Sequence, residues 1–257
     1  MDEQCDGKLR LVSQWIASHR KIVIFTGAGV STESGIPDFR SPGGIWERFD
    51  PNEFIFDRFL ASERVREKYW KFHTEIYYSM INAQPNPAHR ACVDLDRRGK
   101  LDCVITQNID NLHQRAGLPD EKVIELHGNA LKVNCLSCGK DYDRKTVQER
   151  VEGGETAPVC DDCGGILKPA TISFGQAMPF EETQEAENRS KNAEVFLAIG
   201  TSLAVYPAAY MPLYAKQGGA KVGVINLSPT PFDYQADLVV REKAGLAMEK
   251  VLSHLDL

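Results

Sequence analysis

The stretch from Lys21 to Arg40, KIVIFTGAGVSTESGIPDFR, constrains the fold more than any other part of this chain. Ile22, Val23, Ile24 and Phe25 form a short unbroken apolar run of β-branched and aromatic residues, the pattern of a strand buried on both faces. Thr26, Gly27, Ala28 and Gly29 follow at once. Glycines there let backbone N–H groups approach a phosphate with no Cβ in the way. A strand feeding a glycine-rich turn opens a nucleotide-binding α/β unit. The next residues depart from the ordinary dinucleotide fingerprint. Ser31, Thr32, Ser34, Gly35, Pro37 and Asp38 are a dense turn-forming set, so the phosphate loop runs on into a long structured loop ending in Phe39 and Arg40. An aromatic ring and a guanidinium at that point suit covering a bound cofactor and pairing with its phosphates.

The rest of the chain repeats the strand–helix rhythm. Leu9, Leu11, Val12, Trp15 and Ile16 predict an amphipathic helix ahead of the first strand, and Asp57 to Asn82 is aromatic-rich at helical spacing. Asn86 and Pro87 read as an N-cap and first helical residue, opening a helix to about Arg98. Further strands are expected at Cys103 to Thr106, Lys122 to Leu126, Glu194 to Ile199, Lys221 to Asn226 and Ala236 to Val240. Helices are expected near Asn111 to Ala116, Phe180 to Lys191, Pro207 to Gln217 and Gly245 to Leu255. Six strands interleaved with helices argue a Rossmann-like, doubly wound parallel sheet. Gly128 to Pro169 breaks that rhythm and reads as an inserted module.

That insert holds Cys135-x2-Cys138 and Cys160-x2-Cys163, with 21 residues between the pairs. Each pair sits at a turn, the knuckle that converges two thiolates on one ion. Four soft thiolates favour tetrahedral Zn²⁺, and a closed four-ligand site leaves no position for an activated water, so the zinc is expected to be structural. The remaining cysteines, Cys5, Cys92 and Cys103, read as spare thiols rather than a disulfide frame. With no basic and apolar leader at MDEQCDGKLR and no apolar run near the roughly 20 residues needed to span a bilayer, a cytoplasmic protein is expected. At 257 residues and 42% hydrophobic content the chain can bury a full core. A net charge of −6 favours neither nucleic acid nor an anionic membrane.

Polar residues gather at the predicted strand ends. Thr106, Gln107, Asn108, Ile109, Asp110 and Asn111 follow one buried strand, where open parallel sheets place their ligand groups. The next strand ends in Glu125, Leu126, His127, Gly128 and Asn129. His127, with an ordinary pKa near neutrality, suits a general base. Gly200, Thr201 and Ser202 end another strand, and Asn226, Leu227 and Ser228 the next.

Taken together, GAGVSTESGIPDFR, TQNIDNLHQRAG, ELHGN, the two CxxC pairs, SFGQAMP, GTSLAVYPA and VINLSPTPFD closely resemble the sirtuins, the NAD-dependent protein-lysine deacylases, in their compact microbial form. The resemblance runs from about Val23 to Asp233, nearly the whole chain. It implies a large NAD-binding domain (residues 1–43, 83–127 and 171–257) and a small helical and zinc-binding module (44–82 and 128–170). NAD and an acetyl-lysine protein or peptide would enter the cleft between them from opposite sides. Neither membrane nor direct nucleic-acid binding is expected. Residue by residue, the resemblance implies that Ala28, Gly29 and Thr32 line the phosphate and ribose region, Phe39 covers the nicotinamide end and Arg40 meets the pyrophosphate. Gln107, Asn108, Ile109 and Asp110 match the nicotinamide-ribose pocket, with Asp110 near the carboxamide, and His127 matches the general base. Thr201, Ser202 and Asn226 would hold the adenosine half, with Lys243 and Ala244 as a closing contact. The backbones of Ser173, Phe174, Gly175 and of Leu203, Ala204, Val205 would sandwich the substrate peptide as an added strand.

In the reaction so implied, the acyl oxygen attacks C1′ of the nicotinamide ribose, nicotinamide leaves, and His127 deprotonates a ribose hydroxyl. The products are free lysine, nicotinamide and O-acetyl-ADP-ribose. Acid-selective members carry a Tyr-x-x-Arg pair on the helix after the cofactor loop, whereas here a gapless alignment on Trp70 puts His73 and Ile76 at those places. An acidic acyl group would be desolvated without a partner, so neutral chains are expected, acetyl first. A protonated His73 would partly replace the missing Arg at low pH. Protein ADP-ribosyl transfer shares the first step and stays open as a side activity. Plain hydride transfer is set aside because no acidic residue about 20 positions after the glycine turn reads as a ribose ligand in the usual way. A non-catalytic zinc-ribbon binding nucleic acid is set aside on the acidic balance and the full set of cleft residues.

Overall fold

A computed structural model describes residues 2–256. In chain order, the first half comprises α1 (Glu3–Ser18), β1 (Ile22–Thr26), α2 (Phe56–Ala61), α3 (Glu63–Asn82), α4 (Pro87–Arg97), β2 (Leu101–Thr106), α5 (Leu112–Arg115) and β3 (Val123–Glu125). Then come β4 (Gly128–Cys135), β5 (Asp141–Asp143), α6 (Arg144–Glu152), β6 (Leu167–Thr171) and α7 (Phe180–Lys191). The last part holds β7 (Val195–Ile199), α8 (Met211–Gln217), β8 (Lys221–Ile225), β9 (Leu238–Val240) and α9 (Ala244–Leu255).

Six of the strands form a parallel sheet in the order β3-β2-β1-β7-β8-β9. The expected Rossmann-like sheet is therefore present, with its direction of winding reversing between β1 and β7. Alternation along β1 supplies both cores. Ile22 and Ile24 face α1, α4 and α9 through Leu9, Val12, Ile16, Ala91 and Met248. Val23 and Phe25 face the other way, against Phe196, Ala186 and Met211. Fully burying a side chain of this size stabilises the fold by about 1.5–3 kcal/mol. The other three strands form a small antiparallel sheet, β5-β4-β6. Among the described residues, no helix is long and apolar enough to cross a membrane.

Several boundaries differ from the sequence expectation for local reasons. The helix expected over Asp57 to Asn82 breaks at Ser62, which is extended (φ −137°, ψ 120°). Arg66 stabilises the break by donating from Nη1 to the carbonyls of Phe59 (3.2 Å) and Leu60 (3.1 Å), which the end of α2 leaves free. Residues Ala208–Tyr210 form a 3₁₀ turn before α8, with Pro212 in the first turn of the helix proper. β2 starts two residues early, at Leu101, and β9 is only three residues long. Asn86 caps α4 as expected, accepting from Ala88 N at 2.9 Å, with Pro87 in the first turn.

Candidate active site

The site forms where the sheet changes direction, at the carboxyl ends of β1 and β7, the position at which open α/β sheets bind ligands. Two short 3₁₀ turns, Ala28–Val30 and Thr32–Ser34, replace the helix that would ordinarily follow β1. The two strand ends pack backbone to backbone. Gly27 N donates to Ile199 O at 3.3 Å and Gly29 N to Gly200 O at 2.8 Å. A Cβ on Gly29 would stand 2.8 Å from Gly200 O, and one on Gly27 2.8 Å from Thr201 Cβ. Glycine is required at both for this reason, rather than for an unusual φ. Beyond the turns, Phe39 packs at 5.2 Å on Trp46, which also lies 6.1 Å from Phe174, so three aromatic rings wall one side of the cleft. Arg40 is exposed, and its backbone N–H is taken by Asp38 at 3.0 Å.

The Gln107–Asp110 loop is fastened to the cofactor loop through one hydroxyl. Ser31 Oγ donates to Asp110 Oδ2 at 2.7 Å and accepts from Asn108 Nδ2 at 3.0 Å. Asp110 Oδ1 accepts from Leu112 N at 2.9 Å. Asp110 is 3% exposed; burial raises its pKa, opposed by the bonds from Leu112 and Ser31 and by the charge of Arg115. Gln107 reaches across the switch point, donating from Nε2 to Thr201 Oγ1 at 2.8 Å. Ile109 is tied to the small sheet, its carbonyl accepting from Ala130 N at 2.9 Å.

His127 sits between β3 and β4, half-buried, with Nδ1 3.0 Å from Gln107 O. A carbonyl only accepts, so Nδ1 carries the proton and the Nε2 lone pair is left to accept another. Burial lowers the His127 pKa, outweighing the bond to Gln107 O, which pulls the other way. The imidazole is therefore neutral at neutral pH, the form a general base needs.

The remaining expected residues divide by location. Thr201 is buried beside Gln107, while Ser202 is exposed. The Asn226 side chain donates to Ser228 O at 2.8 Å. Lys243 precedes α9, whose Gly245 N–H is held by the Glu33 carboxylate of the cofactor loop at 2.6 Å; that contact puts Lys243 and Ala244 next to the loop. Ser173 and Gly175 flank Phe174, whose carbonyl accepts from Phe56 N at 2.9 Å. Leu203 is buried with φ 51°, followed by exposed Ala204 and half-buried Val205. Ser31, Trp46 and Glu33 were not expected to have site roles; only their place in or beside the cofactor loop pointed to them. Tyr69 is also new, its hydroxyl 3.1 Å from Thr171 Oγ1 and 3.2 Å from Ser173 Oγ.

Two expectations need correction. Acidic residues do stand about 20 positions past the glycine turn, Glu47 and Asp50, but they lie on and before 3₁₀ turns outside the sheet. A ribose reader belongs at the end of a second sheet strand, so the case against a plain dehydrogenase rests on that placement. His73 is 4% exposed; burial, then the charges of Lys168 and Arg144, drive its pKa well below the ordinary value. Burial thus disfavours the protonated ring that was expected to stand in for a missing Arg at low pH. Ile76 is likewise buried.

The cysteine expectation holds. The four Sγ atoms of Cys135, Cys138, Cys160 and Cys163 lie within 4.8 Å of one another. Cys135 and Cys163 are 3.5 Å apart, and Cys138 and Cys160 3.7 Å. A tetrahedral ion with Zn–S bonds of about 2.3 Å needs sulfur pairs roughly 3.8 Å apart, so the cluster fits zinc. Tyr142 donates to Cys160 Sγ at 3.1 Å, and the N–H groups of Ser137 and Gly165 point at the sulfurs of Cys135 and Cys163, each at 3.4 Å. Trp70 of α3 packs in the same cluster as Cys135 and Cys160, joining the metal knuckles to the helix that carries Tyr69 and His73.

Comparison with known proteins agrees with this geometry. The sequence profile of the Sir2 family matches residues 27–207. NAD-dependent protein deacetylase 1 of Bradyrhizobium diazoefficiens is 49% identical, over 90% of this chain and 89% of its own length. A solved Sir2 complex with a deacetylated p53 peptide and 3′-O-acetyl-ADP-ribose superposes with a TM-score of 0.89 at 38% identity, covering 96% of this chain and 98% of that one. Sir2Tm bound to a propionylated peptide gives 0.86 at 37% identity, with coverage of 96% and 98%.

Proposed function

The chain belongs to the Sir2 family and is an NAD-dependent protein deacetylase, and we propose on that footing how its own residues divide the reaction. NAD supplies the acceptor: the acetyl oxygen of the lysine bonds to ribose C1′ as nicotinamide leaves, a ribose hydroxyl then bonds to the acetyl carbon as the lysine amine is released, and one water supplies the oxygen that completes O-acetyl-ADP-ribose. Ala28, Gly29 and Thr32, with Arg40, hold the phosphates and adjoining ribose. Gln107, Asn108, Ile109 and Asp110 form the nicotinamide-ribose pocket; Asp110 accepts from the carboxamide N–H₂. Thr201, Ser202 and Asn226 hold the adenosine half, and Lys243 with Ala244 closes it. Phe39, with Trp46 and Phe174, covers the nicotinamide end, so that the acetyl oxygen reaches C1′ ahead of water. His127 takes the ribose hydroxyl proton at Nε2, with Nδ1 held by Gln107 O so that the ring keeps its tautomer. The 3.0 Å contact between His127 Nδ1 and Gln107 O, next to the loop of Asn108 and Asp110, is the observation that carries the assignment.

The peptide enters as a strand between Ser173–Phe174–Gly175 and Leu203–Ala204–Val205. Neutral acyl chains are its substrates, acetyl first, since neutral His73 and apolar Ile76 offer no partner to a carboxylate. We divide the chain into the cofactor domain (residues 1–43, 83–127 and 171–257) and the small module (44–82 and 128–170), with zinc holding the second together. A cytoplasmic setting is supported by free thiols at Cys5, Cys92 and Cys103. The test is an acetyl-lysine peptide incubated with and without NAD and read by mass spectrometry. Loss of acetyl only with NAD, matched by nicotinamide and O-acetyl-ADP-ribose, is expected. A peptide that gains ADP-ribose and keeps its acetyl group would overturn the proposal.

A further inference from the structure

Beneath the loop that carries Asn108, His89 of α4 and His113 of α5 lie ring beside ring, centroids 4.9 Å apart and planes tilted by 58°. They are 0% and 1% exposed. Each leaves one buried ring nitrogen without a partner, Nε2 of His89 and Nδ1 of His113. Two phenylalanines would fill such a space with no orphaned polar atom, and an orphaned one is costly. The neighbouring bonds fix where each proton resides. Asn86 N–H, which can only donate, reaches His89 Nδ1 at 3.3 Å, so His89 carries its proton on the orphan Nε2. His113 Nε2 lies 3.1 Å from Thr26 Oγ1, whose own proton goes to Thr106 Oγ1 at 2.8 Å. His113 Nε2 therefore donates, and its orphan Nδ1 is a lone pair. One orphan is a donor and the other an acceptor, on adjacent rings.

We propose that His89 and His113 form one directed hydrogen-bond relay, closed between the two orphaned ring nitrogens through a single buried water, that sets the Asn108 loop against the cofactor loop. At one end Asn86 donates from Nδ2 to Val30 O (2.7 Å) and Ser34 Oγ (3.0 Å) of the cofactor loop. At the other end Thr106 Oγ1 accepts from the Asn108 N–H at 3.0 Å. His113 is a positioning residue, acting through Thr26 and Thr106. This rests on the reading of the Asn108 loop as part of the reaction site.

The first test uses the zinc-loaded wild-type protein with ¹⁵N-labelled histidine, at pH 7. Imidazole ¹⁵N–¹H spectra, assigned by the signals lost in His89→Gln and His113→Gln, should show both rings protonated on Nε2. A His113 protonated on Nδ1, or tautomers averaging at both rings, overturns the relay. The second test compares variants by kinetics. His113→Gln keeps a donor near the Nε2 position and should hold kcat within about twofold, whereas His113→Phe should lower kcat about tenfold, the equivalent of one hydrogen bond, with peptide KM unchanged. Equal kcat in the two variants overturns the positioning role. If His113→Phe does not fold, the wild-type spectra decide alone. Full activity in His127→Ala and Asn108→Ala would instead sink the reading of the loop, and the tautomer pattern would stand apart from it.

Discussion

Lowering the pH from 7 to 5 should cost the fold about 4 kcal/mol through His89 and His113 alone. Burial, then the neighbouring His113 and Arg90, lowers the His89 pKa to about 2, and burial lowers that of His113 to about 4. In the unfolded chain both return to about 6.5. As the pH falls through 6.5 the unfolded chain takes up protons that the native state refuses, so stability is lost until the folded values are reached. At pH 5 each ring is one and a half units below its unfolded pKa, which at about 1.4 kcal/mol per unit gives about 2 kcal/mol each. Against a total stability of roughly 5–15 kcal/mol, that is a large share. Asp110 and Glu125 work in the opposite direction, because burial raises their carboxyls and the native state gains protons more readily there. The assay must therefore be a difference: urea midpoints and slopes at pH 7 and pH 5, in wild type and in His89→Gln/His113→Gln, whose amides do not titrate. The wild type should lose about 4 kcal/mol more than the variant. Equal losses in the two proteins would refute the claim that these rings are held neutral.

Replacing His127 by Ala should lower deacetylation roughly 10²–10⁴-fold with an unchanged circular dichroism spectrum; near-wild-type turnover by the folded variant would remove it from the mechanism. Elemental analysis should find one zinc per chain, and chelation should abolish activity by unfolding the small sheet, so a chelated protein that stays folded and active would end the structural assignment. Acetyl-lysine should be preferred over succinyl-lysine in kcat/KM by about a hundredfold at both pH 6 and pH 8, since each 1.4 kcal/mol of unpaired carboxylate is about tenfold. Recovery of succinyl activity at pH 6 would mean that His73 protonates after all. Gly29→Ala should cost about 1–3 kcal/mol, because its Cβ would stand 2.8 Å from Gly200 O; an unchanged melting temperature would contradict the packing described for the two strand ends.

The main sheet was legible because its strands are buried on both faces and read as unbroken apolar runs, Ile22–Phe25 most plainly. The zinc ligands were legible because each pair is local in sequence, and the loop of Gln107 to Asp110 because amides and a carboxylate after an apolar run have few structural uses. The small sheet was not, since β4 changes register between Asn129 and Val133 and its alternation is broken there. Ser31 was counted as one turn residue among several; its part in joining Asn108 to Asp110 depends on chain segments 77 and 79 residues away. The His89–His113 pair was invisible for the same reason. Each sits on its own helix with ordinary neighbours, and only the packing of α4 against α5 brings the rings together.

The order of strands in the main sheet has a consequence for how the protein is made. β1 lies at the centre, yet its partner on one side, β7, ends at residue 199, and the helix whose Gly245 N–H holds Glu33 comes later still. A nascent chain on the ribosome therefore carries the strand Ile22–Thr26, apolar throughout but for its last residue, with one edge open while most of the remaining sequence is translated. At roughly 5–20 residues per second that exposure lasts on the order of ten seconds or more, long enough for chaperone capture or for pairing with another chain. The cofactor loop, made among the first residues, acquires its final support from α9, among the last. A fragment released before residue 245 lacks the N–H that holds Glu33 of the cofactor loop.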